Sequence, residues 1–207
     1  MIDLWILVAA ERGALADDLV GLTPEQWASP SLCPDWTIRD IAAHLTAAAS
    51  TSPGAFIGQF AKAGFNVDRY VHAGLSRRLG ADADATLAGF RAVQASKTSP
   101  PGPKPTWLGE VVIHAEDIRW PLGIPHRYPP ETLREVADFF KGSNALIGAK
   151  NRVAGLTLRA TDQDWSNGSG PAVEGPLLPL VMAMTGRKEH VDDLTGEGVE
   201  TLRTRCR

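Results

Sequence analysis

The chain has 207 residues, 43% hydrophobic and 22% charged, with a formal net charge of −3. That is enough for one large domain, or a main domain and a smaller one, to bury a core without disulfide staples. The acidic balance, with no basic cluster denser than Arg203-Thr204-Arg205-Cys206-Arg207, argues against nucleic acid or an acidic lipid surface as partner.

Residues 3–22 place Leu4, Leu7, Val8, Leu15, Leu19 and Leu22 near a 3.6-residue period, which predicts a helix ending near Gly21 with Asp17 and Asp18 on its polar side. The apolar run at 4–10 is too short to span a bilayer. It also lacks the basic flank of a signal peptide, so a cytoplasmic location is expected. Thr23-Pro24-Glu25-Gln26 is a fresh helix start with proline in the first helical position, and Trp27 anchors a short turn. SPSLCPDW (29–36) is loop. Thr37 is the expected N-cap, with Asp40 in capping-box register. The helix from Ile38 to about Ser50 turns Ile38, Ile41, Ala42 and Leu45 inward, with His44 on the same side. A histidine in such a place is more often a hydrogen-bonded core residue than a ligand, unless another element brings ligands to it.

Residues 55–79 predict one long or two broken helices, interrupted near Gly64 and Asn66, with Arg69, Arg77 and Arg78 on a basic side. His72 reads as a surface residue or one just outside a site. Residues 84–95 form another amphipathic helix through Leu87, Phe90, Arg91 and Val93. SPPGPKP (99–105) is a stiff connector leading into TWLGEVVIHAEDIRW (106–120), with Thr106 as its cap and Trp107, Val111 and Ile118 on its apolar side. Residues 121–130 read as loop and 131–149 as helix, with Leu133, Val136, Phe139, Phe140 and Leu146 apolar. Helices joined by such connections favour an antiparallel bundle.

From residue 151 the texture changes. Residues 155–162 alternate as a strand does, and DWSNGSG (164–170) reads as a hairpin turn because Asn-Gly favours positive φ. Residues 171–174 could pair back on the first strand. Residues 177–185 are helical and close at Gly186, and 199–205 form a short helix or strand. The expected fold is therefore α+β: an antiparallel four-helix bundle over 1–150 with a small α+β domain over 151–207.

The chemistry-bearing residues concentrate in residues 106–120. Glu110 and His114 are four apart, so they stack on one helix face a turn from each other. His44 offers a third ligand from a second helix, as bundle metal sites are built. Two imidazoles and a carboxylate suit zinc and leave a coordination position open. The plainer readings are a solvated Glu/His pair, or Glu110 hydrogen-bonding His114 in the core. The chain has no G-x-S-x-G or HExxH motif, and the Ser166/Ser169 glycine-rich stretch lacks the setting of a phosphate loop. Two cysteines make neither a disulfide framework nor a CxxC site. Cys33, between two prolines and without a local basic partner, reads as structural.

Three stretches in order resemble one family. LTPEQWASPSLCPDWTIRDIAAHL (22–45), VVIHAEDIRWPLG (111–123), and ATDQDWSNGSGPAVEGP with LLPLVMAMTGR (160–187) resemble the mycothiol-dependent maleylpyruvate isomerases, a branch of the DinB-like metal-binding helix bundles. The resemblance implies a DinB-like bundle holding a divalent metal, usually zinc, on His44, Glu110 and His114. It places Asp117 beside the site and gives Arg187 a role in holding an anionic substrate. It also implies a thiol cofactor, mycothiol or another low-molecular-weight thiol. The activity it implies is cis-trans isomerisation or thiol transfer through a metal-activated thiolate on a small electrophilic substrate. The alternative is a non-catalytic metal- or ligand-binding module of the same fold. A monomer or homodimer is expected.

Overall fold

A computed structural model describes residues 3–145 and 147–206. Its packing divides into two units, Met1–His126 and Arg127–Arg207. In the first unit the capping signals act as the sequence requires. Helix α1 (Leu4–Val20) is capped by Asp3, whose carboxylate accepts from Trp5 N, and stops at Gly21. Helix α2 (Pro24–Ala28) has a complete Thr23/Gln26 capping box and buries Trp27. Helix α3 (Ile38–Ser50) has a complete Thr37/Asp40 box. Helices α4 (Pro53–Lys62) and α5 (Val67–Arg78) are separated at Gly64 and Phe65, both at positive φ, and Asn66 caps α5. Helix α6 (Ala83–Ala92) is capped by Asp82.

Helix α7 (Lys104–Leu122) departs from expectation at both ends. Its N-cap is Pro103, and Thr106 lies inside the first turn, its N–H on Pro103 O at 3.0 Å. Proline fits a first helical turn because its fixed φ is helical and its missing N–H has no intrahelical partner to lose. The C-terminus runs past Trp120 through Pro121 and closes at Gly123, left-handed at φ 64. There the N–H groups of Gly123 and Ile124 satisfy the last carbonyls.

Four helices form a ring, with α1 against α7, α7 against α3, α3 against α6, and α6 back against α1. Leu15, Leu19, Ile38, Ile41, Leu45, Phe90, Leu108, Val112 and Ile118 fill it and are buried. Helix α7 buries Leu108, Val111, Val112, Ile113, Ala115 and Ile118 together. Helix α5 lies on α3 outside the ring, and α4 lies on α5 with no buried residue of its own.

The second unit contains α8 (Pro130–Phe140), α9 (Ala149–Arg152), strands β1 (Thr157–Ala160), β2 (Ser166–Gly168) and β3 (Ala172–Gly175), α10 (Leu177–Met184), a 3₁₀ turn (Lys188–Asp193) and α11 (Val199–Arg205). The sheet order is β2-β1-β3, with β2 antiparallel and β3 parallel to β1. The helix expected over 131–149 ends at Phe140, where Gly142 and Ser143 turn the chain, and Leu146 lies outside the described residues. The unit begins earlier than the boundary expected at 150, because α8 packs on α10.

The Asn-Gly pair is not a turn. Asn167 and Gly168 belong to β2, and the chain reverses over 161–165, where Ala160 N bonds Trp165 O at 2.9 Å. Gly168 does take positive φ, but for close approach: a Cβ there would lie 2.2 Å from Leu156 O. The stretch expected to return antiparallel, 171–174, instead contributes to β3, which pairs with β1 in the parallel sense, while β2 is the antiparallel partner.

Candidate metal centre

The loop between α2 and α3 is folded back on itself. Ser31 N bonds Trp36 O at 2.9 Å and Ile38 N bonds Ser29 O at 3.1 Å, while Ser31 Oγ accepts from Cys33 N and donates to Trp36 O. Asp35 takes φ 64, a left-handed conformation that aspartate tolerates better than most residues. Proline in α7 anchors this loop. Pro121 has no N–H to offer the carbonyl of Asp117 one turn earlier, and that carbonyl accepts from Leu32 N instead, at 3.1 Å. Cys33 and Trp36 are thereby held against the middle of α7.

Helices α3 and α7 bring the three expected ligands together. His44 Nε2 lies 2.5 Å from Glu110 Oε1, and His114 Nε2 lies 3.7 Å from the same oxygen. One ligand atom from each residue falls within 4.8 Å of the others. Their side chains keep 13%, 24% and 14% exposure, so the cluster is enclosed but reachable. The imidazoles of His44 and His114 meet nearly edge to face at 4.9 Å.

Behind His114 stands a carboxylate. Asp117, fully buried, lies 2.9 Å from His114 Nδ1 through Oδ2, and the same oxygen accepts from Cys33 Sγ at 3.1 Å. A proton on Nδ1 donated to Asp117 fixes the ring so that Nε2 faces Glu110 and His44. Burial alone would lower the basicity of His114. The bond to Asp117, then Cys33 and the charge of Glu110, outweigh it and push the imidazole up to about 10. The cluster thus favours positive charge at His114 Nε2, the atom that faces the other two ligands.

This donor set fits a divalent cation. Two imidazole nitrogens and one carboxylate converge, and a buried carboxylate orients one imidazole from behind. The 2.5 Å contact between His44 and Glu110 is a hydrogen bond, so loading a cation exchanges protons for metal. A second group, Cys33, His114 and Asp117, also falls within 4.8 Å. There, however, Asp117 already accepts from both of the others.

Two residues outside the expected set belong to the site. Cys33 lies 3.7 Å from His114 Nδ1, so it has a basic neighbour that the sequence around it does not show. Trp36 lies against His44 at 4.9 Å, His114 at 6.2 Å and His72 at 6.3 Å between ring centroids. Its only sequence signal is its place just before an N-cap. Arg187 is in the second unit, where it opens the 3₁₀ turn and its Nη1 donates to Thr185 O at 3.2 Å.

Residues 8–119 match the model of the mycothiol maleylpyruvate isomerase N-terminal domain. The chain belongs to that family. Two solved structures share its fold, a mycothiol-dependent maleylpyruvate isomerase and a histidine-to-alanine mutant of a mycothiol-dependent maleylpyruvate isomerase. Both are 17% identical over 95% of this chain and 93% of theirs, with TM-scores of 0.59 and 0.62. No curated protein sequence matches. Among the described residues no helix is long and apolar enough to cross a membrane.

Proposed function

We propose that this protein is a thiol-dependent metalloenzyme whose cation, zinc by the chemistry of the donors, is held by His44, Glu110 and His114. One observation carries the reading: three ligand atoms from two helices converge within 4.8 Å, one of them oriented by a buried carboxylate. A bound divalent cation supplies Lewis acidity that lowers a thiol's pKa and makes it a nucleophile near neutral pH. The chain's own residues prepare for it. Asp117 holds the Nδ1 proton of His114 and directs Nε2 inward, Cys33 donates to the same carboxylate, and Glu110 lowers the charge of a loaded site. The partial exposure of the three side chains admits a thiol and a small electrophile.

The family points to mycothiol as that thiol, and to addition of its thiolate to an activated cis double bond, followed by rotation and elimination, as the reaction. Arg187 as the group that holds an anionic substrate rests on resemblance alone. Metal analysis of chelator-stripped, zinc-reloaded protein tests the site: the parent takes up one equivalent, and His44→Ala loses at least tenfold in affinity. Equal affinity in the two removes the reading. Mycothiol-dependent turnover of cis-configured unsaturated acids by the reloaded parent then separates an enzyme from a non-catalytic module.

A further inference from the structure

His114 meets a different set of donors with each of its ring nitrogens. Nε2 faces Glu110 and His44. Nδ1 lies 2.9 Å from Asp117 Oδ2 and 3.7 Å from Cys33 Sγ, and that sulfur lies 3.1 Å from the same oxygen. The second triangle is built by the α2–α3 loop and α7, and the loop is pinned where it matters. Leu32 N bonds Asp117 O at 3.1 Å, and Ser31 Oγ accepts from Cys33 N at 3.1 Å. The thiol is therefore held on the carboxylate. Asp117 is fully buried, whereas Cys33 is partly exposed, so the triangle is not sealed. A sulfur, an imidazole nitrogen and a carboxylate oxygen make a softer donor set than the trio. Tetrahedral donors at zinc bond lengths stand roughly 3.4–3.6 Å apart, so no edge of this triangle must change by more than about half an ångström.

We propose that Cys33 Sγ, Asp117 Oδ2 and His114 Nδ1 form a second metal site, one for a thiophilic divalent cation of the cadmium type. Loading exchanges protons for metal. The thiol gives its proton to solvent and binds as a thiolate, the Nδ1 lone pair binds in place of its N–H, and Asp117, which accepted both protons, binds as the carboxylate it already is. The proton left on the ring is then at Nε2. A protonated ring nitrogen has no lone pair to offer, so a cation in this site bars His114 from the trio. That exclusion rests on the trio being a cation site; occupation of the second site does not.

The test uses metal-free full-length protein carrying Cys206→Ser, so that Cys33 is its one thiol. Cadmium(II) is titrated in while the ultraviolet thiolate-to-cadmium absorption is followed, with far-UV circular dichroism on every variant. One equivalent is expected to saturate the band. Adding Cys33→Ser abolishes it, Asp117→Asn weakens cadmium binding at least tenfold, and His44→Ala or Glu110→Gln leaves its affinity within about threefold. No band in the Cys206→Ser protein overturns the proposal, and so does a tenfold loss with His44→Ala, which would put the cadmium in the trio. Should the Cys33→Ser protein not fold, the ¹¹³Cd resonance of the Cys206→Ser protein decides, and a shift typical of nitrogen and oxygen ligands alone overturns the site. Zinc-loaded protein, with a colorimetric zinc indicator present, is expected to release its zinc in step with growth of the band; growth without release overturns the exclusion. Failure of the trio reading looks different: no zinc is taken up, yet the cadmium band still forms.

Discussion

Replacing Asp117 with asparagine removes the charge that holds the Nδ1 proton of His114 while keeping the side chain's shape. In the metal-free parent, burial opposes the imidazolium but Asp117 and its neighbours push His114 up to about 10. At pH 7, three units lower, a cation must displace that proton, which costs about 4 kcal/mol of apparent affinity. The logarithm of the parent's zinc affinity therefore climbs with pH through 7 to 9 by about one unit per pH unit on account of His114. Asp117→Asn has two opposing effects. It weakens intrinsic affinity by roughly 10- to 100-fold, as loss of such an orienting carboxylate does, and it lowers the basicity of His114, so fewer protons compete. The affinity deficit is thus larger at pH 9 than at pH 7, and the pH slope flattens. Competition titrations against a chelator give the slope, and calorimetry in two buffers of different ionisation enthalpy counts the protons released. Because His44 and Glu110 are common to both proteins, the difference isolates His114. Identical slopes and proton counts would refute the assignment of Asp117 as its partner.

The same group sets the pH dependence of the chelated protein. A histidine raised from 6.5 to about 10 contributes stability that is fully present below pH 6.5 and is lost as pH climbs towards 10. The melting temperature of metal-free protein should accordingly fall across that window, while the increment added by zinc grows; calorimetric scans with and without chelator check both signs. Gly168→Ala should cost about 3 kcal/mol or more, because φ is 87 and the new Cβ meets Leu156 O at 2.2 Å. Gly13→Ala, where the obstacle at 2.5 Å is only the end of the Gln94 side chain, should stay within about 1 kcal/mol of the parent. Urea midpoints of the two variants test the contrast.

The sequence made the site legible where periodicity carries the information. Four-residue spacing on one helix and an inward histidine on another singled out His44, Glu110 and His114 as candidates, whose ligand atoms the fold brings within 4.8 Å of one another, and cap chemistry marked the starts of α2 and α3. What it could not show was closure. Trp36 and Cys33 sit in a proline-broken loop with no period, and their places depend on a carbonyl of α7 that Pro121 leaves for Leu32. Reading Asn167-Gly168 as a turn failed for a related reason. Glycine was needed there because a neighbouring carbonyl lies over it, and only the paired strands reveal that. The helix expected over 131–149 instead ends at Phe140, because Gly142 and Ser143 turn the chain there.

Pro121 has a consequence for the order in which the molecule matures. The bond it permits joins Leu32 to Asp117, and closing a loop of that length costs on the order of 4 kcal/mol of chain entropy. On the ribosome the α2–α3 loop emerges long before its anchor. Until α7 has been synthesised and docked, His44 has no partners and the indole has nothing to stand against. A cation held as proposed by His44, Glu110 and His114 would therefore be acquired only after α7 has docked.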